Sequence, residues 1–236
     1  MLAGALASSS LPIDATGSGQ GSGKESAGGS TISPAGLPEP LFQRRIAGRR
    51  LQELSSRELA TLVQPDGPGT FRVARASTAA DPAVVDVRYT VEVENGLPFG
   101  LSDTAAVISS TLRDAKGWSA VLGVSLERVD AGADLRVLVA TPMTTDELCS
   151  PLATKGRVSC RNGGLVVLNA RRWAAGVSHY NGAVPLYRRY LINHEVGHAL
   201  GQQHAECPGT GEPAPVMQQQ TYGLDGCRAN AWPSVA

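Results

Sequence analysis

The clearest pattern along the chain is the alternation at 84–93 (VVDVRYTVEV), where every second residue from Val85 is apolar and β-branched groups abound. A period of two predicts a strand with one buried face. Two shorter apolar runs, 135–140 (LRVLVA) and 165–169 (LVVLN), read as further strands, the second entered through Gly163 and Gly164. Residues 70–74 and 124–129 are weaker strand candidates. A helix is expected from a cap at Ser102 or Asp103 to about Ala115, with Ala106, Val107, Ile108 and Leu112 on its apolar side. Trp118 then begins the return as a core anchor.

The run 184–201 (VPLYRRYLINHEVGHALG) predicts a second helix. Pro185 suits the first turn. Leu191, Ile192, Val196, Ala199 and Leu200 recur at spacings of three and four, and the run is apolar enough for a central helix against a sheet. Beyond Gly201 little regular structure is expected. The order of elements predicts an α+β domain over 68–236, with a twisted mixed sheet, a backing helix and a central helix. Ahead of it, 1–67 reads as a separate region. Residues 8–40 are rich in Ser, Gly and Pro, the composition of a disordered linker, and 41–63 is helix-prone, packing on the domain or serving as a stalk.

Length and charge narrow the possibilities. The chain has 236 residues, enough for one ordinary domain and a tail, with 21 basic and 21 acidic groups. No basic stripe with interleaved aromatics points to nucleic acid, and no run of eighteen apolar residues points to a membrane span. A monomer is expected. The opening MLAGALASSS is short for a leader and lacks a basic start, so it reads as the end of a longer signal or anchor. RRIAGRR at 44–50 reads as a solvated basic segment, with contact to an anionic envelope surface as the alternative.

The four cysteines are Cys149, Cys160, Cys207 and Cys227. Three pairings are open. Their placement favours the local one, with Cys149–Cys160 closing a loop and Cys207–Cys227 clamping the segment that contains Met217. Such bridges suit an exported or envelope-associated protein. Four free thiols are the alternative, and a structural zinc is disfavoured because no CxxC pair occurs.

The chemistry is concentrated in HEVGHALGQQH at 194–204, which holds three of the four histidines. His194 and His198 are four apart, so a helix places them on one face within reach of one metal ion. Glu195 lies beside that face, free to move protons without acting as a ligand. Gly201 allows the chain to turn and return His204 to the same point. Three imidazoles with an open fourth position are the donor set of a catalytic zinc. Asn193 is a candidate for orienting a ligand. The fourth histidine, His179, reads as a loop residue, with a transition-state or substrate contact as the alternative.

HEVGHALGQQH resembles the HExxHxxGxxH signature of the metzincin clan of zinc metallopeptidases. The resemblance implies a zincin-like fold and a Met-turn beneath the metal, for which PAPVMQQQT offers Met217. Two positions depart from that clan. Ala205 follows the third histidine where many members carry an acidic residue or serine. Gln219 stands where astacin-like members have a tyrosine, so Tyr222 is the nearest candidate for an active-site contact. CRNGG at 160–164, NHEVGHALG at 193–201 and CPGTGEPAPVMQQQTYGLDGC at 207–227 resemble an actinobacterial family, the DUF3152 domain proteins, over about 68–236.

The expected function is therefore a peptidase with one Zn2+ and Glu195 as general base, acting on a peptide or protein substrate. Zincins bind extended substrates along an edge strand, here 165–169 or the run after it, 170–173. The alternatives are a hydrolase of cell-wall peptides and a non-catalytic zinc-containing envelope protein.

Overall fold

The computed structural model describes residues 54–76 and 85–235. The expected linker at 8–40, the basic segment at 44–50 and most of the helix-prone stretch lie outside the described residues. A short helix α1 (Ser56–Thr61) opens the described chain. It is fixed by a capping box in which Ser55 and Glu58 satisfy each other's backbone N–H groups. Packing begins before Pro68, because Val63 is already buried in the main core.

The sheet follows the apolar pattern closely. Strand β1 (Phe71–Val73) pairs antiparallel with β2 (Val87–Glu94). Strand β3 (Leu126–Arg128) runs parallel to the start of β2. Strands β4 (Leu135–Ala140) and β6 (Leu165–Asn169) continue the sheet in parallel, and β5 (Cys160–Asn162) closes it antiparallel to β6. The order is β1-β2-β4-β6-β5, with β3 beside β2. Strand β6 is thus interior, and the run after it forms helix α5 (Ala170–Ala175). The edge beside 165–169 is β5, a three-residue strand joined to β6 by a two-residue Gly163-Gly164 turn that pairs Asn162 with Leu165.

Alternation sorts the side chains of these strands onto two faces. Tyr89, Val91 and Val93 of β2, Val137 and Val139 of β4, and Val166 and Leu168 of β6 join the main core. The helices on this face are α2 (Leu101–Leu112) and α6 (Val184–Ala199), the backing and central helices. Helix α2 starts one residue before the expected cap. Its N-cap is Gly100, without a side-chain cap bond, because Ser102 and Asp103 already lie within the first turn. Ile108 and Leu112 are buried as expected, whereas Ala106 is exposed and Thr104, Ala105, Ser109 and Thr111 are buried instead. Trp118 begins helix α3 (Trp118–Leu122), and its indole Nε1 donates to the Asn193 carbonyl of α6 at 2.7 Å.

The opposite face carries a smaller cluster of Leu138, Ala140, Cys149, Cys160 and Val167 beneath helix α4 (Pro142–Cys149). The start of α4 is fixed by the buried Glu94 carboxylate at the end of β2. It accepts from Thr141 N at 2.7 Å, Thr144 Oγ1 at 2.7 Å and Gly69 N at 2.9 Å. Cys149–Cys160 joins α4 to β5, and Cys207–Cys227 lies in the C-terminal segment, the local pairing in both cases. Among the described residues no helix is long and apolar enough to cross a membrane. After α6 the chain forms turns and one isolated bridge, Pro213 with Arg228.

Candidate metal centre

Helix α6 is buried on every side from Tyr190 to Val196, so His194 enters the interior on a rigid element, with the half-buried His198 one turn further on. Its end is a Schellman motif. The Gly201 N–H donates to the His198 carbonyl, the Gln202 N–H donates to the Gly197 carbonyl, and Gly201 takes φ 85°. A side chain at Gly201 would strain that turn. The reversal places the Gln202 carbonyl 2.9 Å from His198 Nδ1 and returns His204 to the helix. One potential ligand atom from each of His194, His198 and His204 lies within 4.8 Å of the other two.

The orientation of the rings fits a metal. His194 Nδ1 lies 2.9 Å from the Val216 carbonyl, and His198 Nδ1 faces Gln202. Each carbonyl calls for a proton on Nδ1, which leaves Nε2 as the bare donor atom. His198 Nε2 and His204 Nε2 face each other at 3.0 Å. Burial pushes the His194 pKa down to about 3, and burial also lowers that of His204. Both imidazoles are therefore neutral at pH 7, as ligation requires. The chemistry of this donor set suits one divalent ion.

Met217 packs against the helix that carries His194 and His198. The turn from Pro215 to Gln218 presents the Val216 carbonyl to His194 and buries Met217. A Cβ at Gly197 would stand 2.5 Å from Met217 Sδ and 2.8 Å from Trp118 Cζ2. The glycine inside HEVGH is thus a contact point between helix and turn. Glu195 is 5% exposed and lines the same cleft, where burial pushes its pKa up to about 8. A cation in the site would favour its ionised form.

Three tyrosines join the helix side to the turn. Tyr180, in the 3₁₀ turn Ser178–Tyr180, donates to Gln220 Oε1 at 2.6 Å. Tyr187 OH meets Thr221 Oγ1 at 2.9 Å, and Tyr190 OH donates to the Gln218 carbonyl at 3.2 Å. Burial raises all three phenol pKa values, that of Tyr187 to about 12, so they stay protonated. Gln220 is fully buried and forms a knot. Its amide donates to the Pro215 and Asn230 carbonyls, and its Oε1 accepts from Tyr180 and the Asn230 N–H.

The cleft has a volume of about 320 Å³. The three histidines, Glu195, Gln219, Thr221 and Tyr222 line it, together with Ser159, Cys160 and Arg161 at β5. Tyr222 is 63% exposed at the rim. His179 lies elsewhere, with Nε2 against the Gln220 carbonyl. Asn193 donates to the Ala231 carbonyl at 2.8 Å and so holds the C-terminal segment rather than a histidine.

A family model described as "Protein of unknown function (DUF3152)" matches residues 61–233. The chain belongs to the DUF3152 family. No curated protein and no solved structure matches it. The matched stretch spans every residue of the DUF3152 cleft and both disulfides. The structure brings the predicted His194, His198, His204 and Glu195 together in one cleft and packs Met217 against the same helix. Sequence reasoning missed the Gln220–Asn230 knot and the tyrosine contacts, which join residues up to 40 positions apart with no local pattern. For β5 a signal existed: the Gly-Gly pair before an apolar run is a hairpin signature.

Proposed function

We propose that the protein is a zinc-dependent peptidase in which Glu195 moves the protons. The observation that carries this reading is the convergence of His194, His198 and His204 beside a buried carboxylate in one cleft. Imidazole suits zinc among the available divalent metals, and three such ligands are the donor set of catalytic rather than structural sites. When bound, the ion supplies Lewis acidity to the reacting carbonyl. A Glu195 carboxylate oxygen accepts a proton from the attacking water and passes it to the leaving amine nitrogen. Burial favours the protonated form of Glu195 and a cation in the site favours the ionised form, opposing pulls that suit a group that takes up and releases a proton.

The cleft supports a peptide as substrate. Strand β5 borders it at the end of the sheet, and an edge strand offers main-chain groups to an extended chain. The two disulfides favour action outside the reducing cytosol, in an exported or envelope-associated protein. Incubating zinc-loaded protein with a mixed peptide library and with muropeptides, each with and without chelator, tests the reading. New amide-cleavage products that vanish with chelator are expected. Their absence from both substrate sets would sink the proposal.

A further inference from the structure

We propose that Arg161 makes this cleft selective for substrates that carry a carboxylate close to the scissile bond. The inference rests on the peptidase reading above and names the substrate class for the same site. It starts from the register of β5. Cys160 pairs with Val167, and both belong to the small cluster under α4. Arg161 pairs with Val166, which belongs to the main core under α6. Alternation therefore turns Arg161 onto the face of the sheet that holds the histidines. At the edge it is exposed and lines the cleft.

Charge sharpens the assignment. Among the described residues, Arg161 is the one cationic residue besides the histidines that lines the cleft, and the buried Glu195 is the one carboxylate. Among the described residues the salt bridges are Arg88–Asp134, Arg113–Glu127 and Arg136–Glu92, so Arg161 has no acidic partner there. A guanidinium offers a planar fork of donors that matches a carboxylate in two parallel hydrogen bonds. A peptide laid along β5 places alternate side chains on the Arg161 face, the opposite one about 5 Å away between Cβ atoms. Opposite charges attract across such a pair and like charges repel. The carboxylate comes either from an acidic side chain or from the C-terminus of a short substrate.

Four versions of one mixed decapeptide library distinguish these sources, with Glu present or replaced throughout by Gln, and with C-termini free or amidated. Cleavage by the zinc-loaded wild type is read by mass. Retention on immobilised, zinc-loaded Glu195→Gln protein reads binding without turnover. Carboxylate-bearing members should be cut and retained about fivefold better than their neutral counterparts. Arg161→Ala should bring that ratio to about one, and Arg161→Glu should invert it. Dependence on Glu with amidated ends assigns the side chain, and dependence on free ends alone assigns the terminus. Equal handling by the wild type, or a preference that survives Arg161→Ala, overturns the inference. Selective retention without cleavage keeps Arg161 and removes the peptidase reading, whereas cleavage without selectivity does the reverse. Neither cleavage nor retention removes both.

Discussion

Residues 87–199 and residues 201–235 both bring histidines to one point, yet they are held together differently. The first region carries strands β2 to β6 and helices α2 to α6, and its order comes from apolar burial: Val91, Val93, Val137, Val139, Ile192 and Leu168 are fully enclosed. The second has no helix or strand. Its order comes from Cys207–Cys227, from the buried Gln220 and Asn230 side chains, and from tyrosines and Asn193 reaching across from the first region. Apolar packing is tolerant of detail, whereas a buried hydrogen-bond network is specific and fails when one member is lost. Placing His194 and His198 on the first kind of structure and His204 and the Val216 carbonyl on the second gives the site a rigid half and a half that depends on the knot.

The largest expected effect concerns protons in metal-free protein, and it falls on the helix side. His194 is buried with its pKa near 3, while exposed His204 is only lowered. A depressed histidine pKa means the unfolded chain binds the proton first, so this contribution is lost as pH falls from about 6.5 towards 3. Glu195 has the opposite sense. Its pKa rises to about 8, so the folded state keeps a proton that the unfolded chain releases, and stability falls as pH rises from about 4.5 to 8. Each shift is worth about 5 kcal/mol at its limit. Denaturant titrations of chelated protein should therefore peak between about pH 4.5 and 6.5, and Glu195→Gln should remove the alkaline decline. A flat profile in the wild type would contradict the buried placement of both groups.

The two disulfides provide the next comparison, one in each region. Their sequence separations are 11 and 20, so removing either by paired Cys→Ser substitution should cost about 3 kcal/mol. Metal affinity should separate them. Loss of Cys207–Cys227 should weaken zinc binding about tenfold, because it frees the segment that carries His204 and Met217, whereas loss of Cys149–Cys160 should leave it within about twofold. Equal losses of affinity, measured by competition with a chromophoric chelator, would dissolve the distinction between the regions.

A smaller effect is expected at Gln220. Gln220→Leu strands the partners of its four hydrogen bonds and should cost about 2 kcal/mol. Hydrogen exchange should accelerate in 213–231 while β4 and β6 stay protected. Uniform acceleration would mean that the C-terminal segment is not a separate unit. At the seam, Gly197→Ala places a methyl group against Met217 and Trp118 and should cost about 1–2 kcal/mol by overpacking. Met217→Ala in that background should recover part of the loss, and no recovery would remove Met217 from the contact.

The same division explains what was legible in the sequence. Strands 135–140 and 165–169 were readable to the residue because apolar, β-branched runs specify strands locally. The central helix with His194 and His198, and the return of His204 after Gly201, were readable from spacing. Helix α4 was not, because TPMTTDELC has no apolar face; its buried Thr141, Thr144 and Thr145 are satisfied by hydrogen bonds, two of them to Glu94. Met217 could be singled out by the resemblance to a Met-turn, but the Gln220–Asn230 knot had no such signal. Glutamine and asparagine are commonplace in loops, and only the folded chain shows which carbonyls they meet.

The central claim is that the three histidines hold a metal and Glu195 moves the protons. Glu195→Gln tests it most directly when zinc content and turnover are measured on the same preparation. The account predicts one zinc per chain in both wild type and variant, with turnover on any peptide the wild type cleaves reduced at least about a hundredfold in the variant. Full turnover by a zinc-loaded Glu195→Gln protein would contradict it.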